Sequence, residues 1–209
     1  ISDGKVTFER KGKEQSVEAD KVLMAVGRRP VVEGYGLENT TIEHDARGIV
    51  VDDNMQTNVP GVYAIGDVNA RMMLAHAATM QGLHVVNHIL GIPDNIRLDI
   101  MPAAIFTNPE AACVGKTEDQ LKAEGVEIEV RKKMYRTNGR ALAMNEAEGY
   151  IKLCVSATDG LILSCHAFGA HSADIVQEVS ALMCKNTTLH ELHEMVHIHP
   201  TLGEMLQEI

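Results

Sequence analysis

The sequence predicts an α+β fold for its C-terminal half, preceded by pieces of an α/β architecture. Three observations carry this. Residues 150–156 and 161–168 are apolar runs joined by Asp159-Gly160, a strong hairpin signal. Residues 172–185 place Ile175, Val179 and Leu182 in helical register. The N-terminal third instead holds short apolar runs that end in glycine, residues 21–27 and 61–66, of the kind found in buried strands.

Each element follows in order. Residues 6–9 alternate, Lys11-Gly12-Lys13 forms a turn and residues 15–19 alternate again, which makes a hairpin with polar faces. Residues 21–27 predict a buried strand, stopped by Arg28-Arg29-Pro30 because proline cannot donate to a ladder. Residues 31–48 are rich in glycine, asparagine and charge and predict loops around a short strand. Gly48-Ile-Val-Val51 starts a strand, residues 52–60 form a turn-rich connection, and residues 61–67 predict a second buried strand ending in Gly66-Asp67. Residues 74–90 predict a helix with Ala75, Ala78, Leu83 and Val86 on one face, terminated by Gly91-Ile-Pro93. Composition changes after Pro93, which sets a domain boundary near residues 94–100. Beyond it, 103–107 and 111–115 predict strands. Thr117-Glu-Asp-Gln120 is a capping box opening a short helix that ends at Gly125. Residues 126–134 predict a long strand, and residues 189–196 a last short helix.

Composition excludes several functions. Lys and Arg total 19 against 29 Asp and Glu, a formal charge of −10 with no basic stripe, so a nucleic-acid backbone has little to bind. Aromatics at 3% leave no stacking platform for bases. No apolar run approaches the roughly 20 residues that span a bilayer, and no signal-peptide pattern opens the sequence. The four cysteines, Cys113, Cys154, Cys165 and Cys184, form no close pair, so neither a zinc knuckle nor a local redox disulfide can be written. Buried, reduced thiols and a cytoplasmic location are the expectation. Residue 1 is Ile rather than Met, consistent with a piece of a longer protein.

Four stretches carry possible chemistry. Gly66-Asp67 puts a carboxylate just past a strand end, where ligands of open sheets sit. A turn with a capping Asp accounts for it equally simply. Met73-Leu74-Ala75-His76 opens the long helix, whose free N–H groups suit a group that becomes anionic. His76 could equally be a cap or a surface residue. His193-Glu-Met-Val-His197 matches HExxH but has no room for a downstream glutamate ligand, and His199-Pro200 breaks the helix, so no metal site is expected. In His197-Ile-His199-Pro200-Thr201-Leu-Gly-Glu204, Glu204 either pairs with His199 as an acid–base dyad or closes a capping box with Thr201. The residues alone leave these two open.

Together these stretches resemble the C-terminal part of the dihydrolipoyl (lipoamide) dehydrogenases, within the flavin disulfide oxidoreductases. Ala25-Val-Gly27-Arg28-Arg29-Pro30 is similar to the end of that family's NAD domain. Residues 57–67, ending in Gly66-Asp67, are similar to its second FAD motif. Met73 to His76 resembles its flavin-contacting segment and His197 to Glu204 its active-site base motif. His-Pro-Thr occurs in glutathione reductases too, but Met-Leu-Ala-His and His-Pro-Thr-Leu favour lipoamide dehydrogenase.

The resemblance implies residues 1–27 as the end of an NAD-binding domain, 28–96 as the C-terminal segment of an FAD-binding domain, and 97–209 as an interface domain. It implies that Gly27 approaches NAD through its backbone, that Asp67 binds the FAD ribitol, and that Met73, Leu74, Ala75 and His76 meet the flavin edge. His199 becomes the acid–base catalyst with Glu204 as its partner, serving the opposite subunit of a homodimer. Lipoyl domains of 2-oxo acid dehydrogenase complexes become the protein partners. The family's CxxxxC pair and G-x-G-x-x-G loops have no counterpart in this sequence, so the chain alone is expected to be inactive. A non-catalytic dimerisation module is the alternative from another class.

Overall fold

The computed structural model describes residues 4–209, so the first three residues of the 1–27 segment lie outside it. The N-terminal hairpin forms as expected, with β1 (Lys5–Arg10) and β2 (Lys13–Glu18) paired antiparallel from Lys5↔Glu18 to Arg10↔Lys13. The two buried strands do not form. Residues 21–27 have no ladder partner among the described residues, and Leu23, Met24 and Val26 are exposed. Residues 61–67 make a single bridge, Gln56↔Tyr63, before a 3-10 turn over Gly66–Asn69. The cause is shared. A buried strand is stable only between sheet neighbours that accept its N–H groups and cover its side chains. Among the described residues the only ladder nearby is a two-residue pair, β3 (His44–Asp45) with β4 (Gly48–Ile49).

Helix α1 (Ala75–Leu90) is present with the predicted span, but its buried face differs. Ala77, Gln81 and Val85 are buried, one turn apart, while Leu83, Val86, Ile89 and Leu90 are exposed. Gln81 is buried because its amide has polar work to do, described below.

The C-terminal half is built on one antiparallel sheet. Its strands are β5 (Ala103–Ile105), β6 (Ala111–Gly115), β7 (Ile128–Met134), β8 (Gly149–Ser156) and β9 (Ile162–Gly169), in the order β5-β6-β9-β8-β7. The predicted hairpin is its centre, pairing Gly149↔Gly169 through Leu153↔Cys165. Alternation along these strands sends Ile151, Leu153, Val155, Cys165, Ala167 and Val114 to one face, where all are buried. Against that face packs α4 (Ser172–Met183) with Ile175, Val176, Val179 and Met183. Full burial of each such side chain is worth about 1.5–3 kcal/mol. The short helices α5 (Leu189–His193) and α6 (Glu204–Gln207) add Leu192, Met205 and Leu206 to the same core. The capping box of α2 (Glu118–Ala123) forms in full between Thr117 and Gln120. Helix α3 (Gly139–Ala143) arises where no element is predicted, started by the Asn138 side chain accepting the Ala141 N–H.

The cysteine expectation holds in part. All four thiols are free, with Cys154 and Cys165 buried, but Cys184 is exposed because it caps α4 where the apolar stripe ends. Burial pushes the Cys165 thiol up to about 12, which makes it unreactive.

One contact locks the sheet to the segment after β7. Tyr135 is fully buried, and its hydroxyl donates to the Ala170 carbonyl at 2.7 Å. Its ring lies over Gly169, whose φ is +144°, and a Cβ there would stand 2.7 Å from two ring carbons. Gly169→Ala therefore adds both strain and overlap, and we expect a loss of about 2 kcal/mol or more, read from urea denaturation of the chain. A loss under about 0.5 kcal/mol would show that the ring yields freely.

Candidate functional site

The residues singled out from sequence fall into two clusters, one on each side of α4. The first surrounds the N-terminus of α1. Leu74 is the N-cap but supplies no side-chain bond, and the first turn has no acidic residue, so its N–H groups are open to an anionic or acceptor group. Met73 and Leu74 are half-buried, while Ala75 and His76 are exposed. The His76 Nε2–H donates to the Pro102 carbonyl at 2.8 Å, which ties the helix start to the strand that follows.

Asp67 lies in the 3-10 turn whose neighbour Gly66 rests on Ala78 of α1. Its carboxylate is half-exposed and meets the Arg28 guanidinium at 3.7 Å, which brings Gly27–Arg28 to the same edge. Such an open ion pair is worth little and is easily exchanged for hydroxyl ligands. Gly27 has φ +108° and nothing within 4 Å of its absent Cβ, so its backbone is approachable.

Sequence reasoning missed the residues that hold this turn. Gln81 Oε1 accepts from the Gly66 N–H at 2.8 Å and from Asn69 Nδ2 at 3.0 Å. Asn69 Nδ2 also donates to the Ala64 carbonyl at 2.9 Å, and its Oδ1 accepts the Arg71 N–H at 3.0 Å. Both amides are buried, so this network fixes where Asp67 points relative to α1. A polar residue within an apolar helical period was the available signal.

The second cluster is the C-terminal His–Glu segment. His199 Nδ1 lies 2.7 Å from Glu204 Oε1, and the Thr201 N–H donates to Glu204 Oε2 at 2.8 Å. The two readings of Glu204 are thus compatible, since each carboxylate oxygen serves one of them. The other half of the capping box is absent, because the Thr201 hydroxyl donates to the Ile198 carbonyl at 2.6 Å and Gly203 is the N-cap of α6. A carboxylate facing Nδ1 requires Nδ1–H, which leaves the Nε2 lone pair as the basic site. The His199 side chain is 84% exposed, so Nε2 is reachable from outside. Asn138, also missed from sequence, is buried and donates from Nδ2 to the Thr201 carbonyl at 3.0 Å, anchoring the segment to α3. The His199–Pro200 peptide bond is cis.

Helix α5 ends at His193, so His193 and His197 do not share a helical face and the HExxH string has no zinc-protease geometry. Among the described residues no cluster of three His, Cys, Asp or Glu has metal-binding geometry. None of their helices is long and apolar enough to cross a membrane.

The Glu204 carboxyl is held below its ordinary value of 4.5, first by the Thr201 N–H and then by His199. A lowered folded value means that its contribution to stability is complete above pH 4.5 and is lost as pH falls through the lowered value. Carbon-13 NMR of the Glu204 side chain during an acid titration should show a midpoint under 4.5, moving together with the Thr201 amide. A midpoint at or above that value would mean that neither bond persists in solution.

Comparison with known proteins gives a consistent picture. Residues 101–209 match the family profile described as pyridine nucleotide-disulphide oxidoreductase, dimerisation domain. Residues 1–82 match the one described as pyridine nucleotide-disulphide oxidoreductase. The chain is 43% identical over 204 residues to the dihydrolipoyl dehydrogenase of Bacillus subtilis, covering 97% of this chain and 43% of that protein. With the dihydrolipoyl dehydrogenase of Geobacillus stearothermophilus the identity is 37%, at the same coverage of each. Among solved structures, LpdA from Mycobacterium tuberculosis superimposes with a TM-score of 0.85 at 28% identity, over 93% of this chain and 43% of that one. The flavoprotein disulfide reductase RclA from Escherichia coli gives 0.85 at 24% identity, over 99% of this chain and 48% of that one, a likeness of fold alone. The chain therefore spans less than half the length of the relatives it matches.

Proposed function

The chain belongs to the pyridine nucleotide-disulphide oxidoreductases, and from that membership we propose that it is the C-terminal part of a dihydrolipoyl dehydrogenase. The intact protein would oxidise dihydrolipoamide through a redox disulfide and FAD, reducing NAD. The observation that carries the reading is the 2.7 Å His199–Glu204 contact, which fixes the imidazole as a base with Nε2 turned outward.

The chemistry follows from the thiol. A dithiol attacks a disulfide as its thiolate, so a proton must leave as the sulfur–sulfur bond forms. His199 Nε2 would take that proton, and the Glu204 carboxylate would stabilise the imidazolium that results. Two electrons pass from the dithiol to the enzyme disulfide, which is reduced as lipoamide forms. Bound FAD would carry that pair onward to NAD. For FAD, this chain offers the Asp67 carboxylate, which fits ribitol hydroxyls, and the uncapped first turn of α1 from Met73 to His76, which fits the electron-rich edge of a flavin. For NAD it offers the open backbone of Gly27.

The placement of the two clusters supports a shared site between subunits. Leu74 and His76 line a cavity on one flank of α4, while His197, Ile198 and Pro200 to Gly203, the neighbours of His199, line another on its far flank. Within one chain the base and the flavin-facing segment do not share a cavity. A homodimer in which each His199 serves the partner's flavin accounts for that separation. We read residues 1–27, 28–96 and 97–209 as the NAD, FAD and interface segments, and lipoyl domains as the reducing partner. The free thiols support a reducing, cytoplasmic setting.

In the intact protein, His199→Gln should lower dihydrolipoamide turnover per bound FAD about a hundredfold or more, with Glu204→Gln costing less because the imidazole remains. Unchanged FAD content in both variants is expected, and near-normal turnover for His199→Gln would refute the acid–base role. The chain itself should associate through residues 97–209 as a two-fold dimer. Light scattering that gives the mass of one chain across micromolar concentrations would count against this.

A further inference from the structure

Gln81 and Asn69 are buried amides between the two stretches assigned above to FAD, Asp67 and the start of α1. The backbone fixes which atom of each amide faces which partner. The Gly66 N–H can only donate, so the Gln81 atom 2.8 Å from it is the oxygen, Oε1. The Arg71 N–H likewise fixes Asn69 Oδ1, at 3.0 Å. Asn69 Nδ2 is then left to donate to the Ala64 carbonyl at 2.9 Å and to Gln81 Oε1 at 3.0 Å. In this network Gln81 Oε1 accepts two hydrogen bonds and Asn69 Nδ2 donates two.

The turn is pinned from other sides too. A Cβ on Gly66 would stand 3.2 Å from the Ala78 Cβ, and one on Gly82 3.4 Å from Ile65 Cδ1, so Ile65 and Gly66 lie directly on α1. A Cβ on Gly48 of β4 would stand 2.5 Å from the Val68 carbonyl oxygen. Within Gly66–Asn69 both end residues are buried, while the Asp67 side chain is 48% exposed. The turn is thus fixed and only its carboxylate is presented. Gln81 stands about 9 Å along the helix axis from Ala75, so it ties that turn to the same rigid rod whose first turn is open.

We propose that Gln81 and Asn69 are positioning residues for the cofactor. Their paired amides make the Asp67 turn and the first turn of α1 one rigid piece, so that the ribitol contact and the flavin-edge contact are presented at a fixed separation. A ligand held at two points binds best when those points already stand at its own spacing, because ordering them on binding costs entropy. Neither amide touches the cofactor in this arrangement. The positioning role rests on the reading of Asp67 and residues 73–76 as FAD contacts, whereas the donor and acceptor roles of the two amides do not. Those roles make the pair asymmetric. A carboxylate at position 81 keeps both accepted bonds, and a hydrocarbon keeps neither. A carboxylate at position 69 turns an oxygen toward two acceptors, the Ala64 carbonyl and Gln81 Oε1.

The test uses the intact protein. Gln81→Leu should lower FAD affinity about tenfold, read by titrating FAD into the apoprotein. It should also change the visible circular dichroism of the flavin that remains bound, per mole of flavin. Gln81→Glu should restore both, and Asn69→Asp should do as much harm as Gln81→Leu. A loss of stability alone would lower FAD content and leave the spectrum per bound flavin unchanged, and that outcome would overturn the proposal. So would Gln81→Glu binding no better than Gln81→Leu, or Asn69→Asp binding like the native protein. If one harmful variant does not fold, the other and Gln81→Glu still decide it. Failure of the FAD reading would look different. Asp67→Asn would then bind FAD as tightly as the native protein, while Gln81→Leu still shifted the Gly66 and Asp67 amide signals in NMR spectra of the chain, and the positioning role would fall with that reading.

Discussion

Burial of the α4 stripe, Ile175, Val176, Val179 and Met183, on the inner face of the five-stranded sheet is the contact on which the rest depends. It closes the core that Leu192, Met205 and Leu206 complete, and so places α5 and α6. It also sets up the chemistry. One flank of the helix faces the start of α1, where Leu74 and His76 line the cavity between them. The other flank carries Glu178, whose Oε1 lies 2.9 Å from His197 Nε2 at the start of the His–Glu segment.

Polar groups at the two clusters are managed differently. At the His–Glu segment each acceptor has a defined donor: Glu204 takes one hydrogen bond on each oxygen, and the Thr201 carbonyl takes one from a buried amide. The His199 ring is therefore held in one orientation by fixed partners, which is what the proposed base would need. At Asp67 the support is buried, in Gln81 and Asn69, but the carboxylate is left open with only an exposed arginine beside it. That openness is what the proposed ribitol contact would require.

Much of the interface half was legible because its signals are local. Asp159-Gly160, the Thr117–Gln120 box and the 175/179/182 period each specify their element without distant help. The strands expected over 21–27 and 61–67 failed for the opposite reason. Their apolar runs encode burial between neighbours, and nothing in the described residues supplies those neighbours, so Leu23 and Val26 face outward. The dyad was visible as a spacing, but the choice between dyad and cap was not, because sequence cannot show that two oxygens of one carboxylate point to two donors. Asn138, Gln81 and Glu178 left little trace, since each acts on a residue far along the chain.

The strand order has a last consequence at the margin of the sheet. β7 is an edge, and such a row of unpaired backbone groups invites another strand to add on. Here the edge carries Arg131, Lys132 and Lys133. Lys132 folds over the Tyr150 ring at 4.0 Å, and Lys133 reaches Glu208 at 2.9 Å beyond α6. An incoming strand would have to displace both tethers and strip water from three cations. Growth by strand addition, and the fibrous aggregates it leads to, is thereby discouraged on this side, and self-recognition is left to helix flanks and sheet faces, where a closed pair can form.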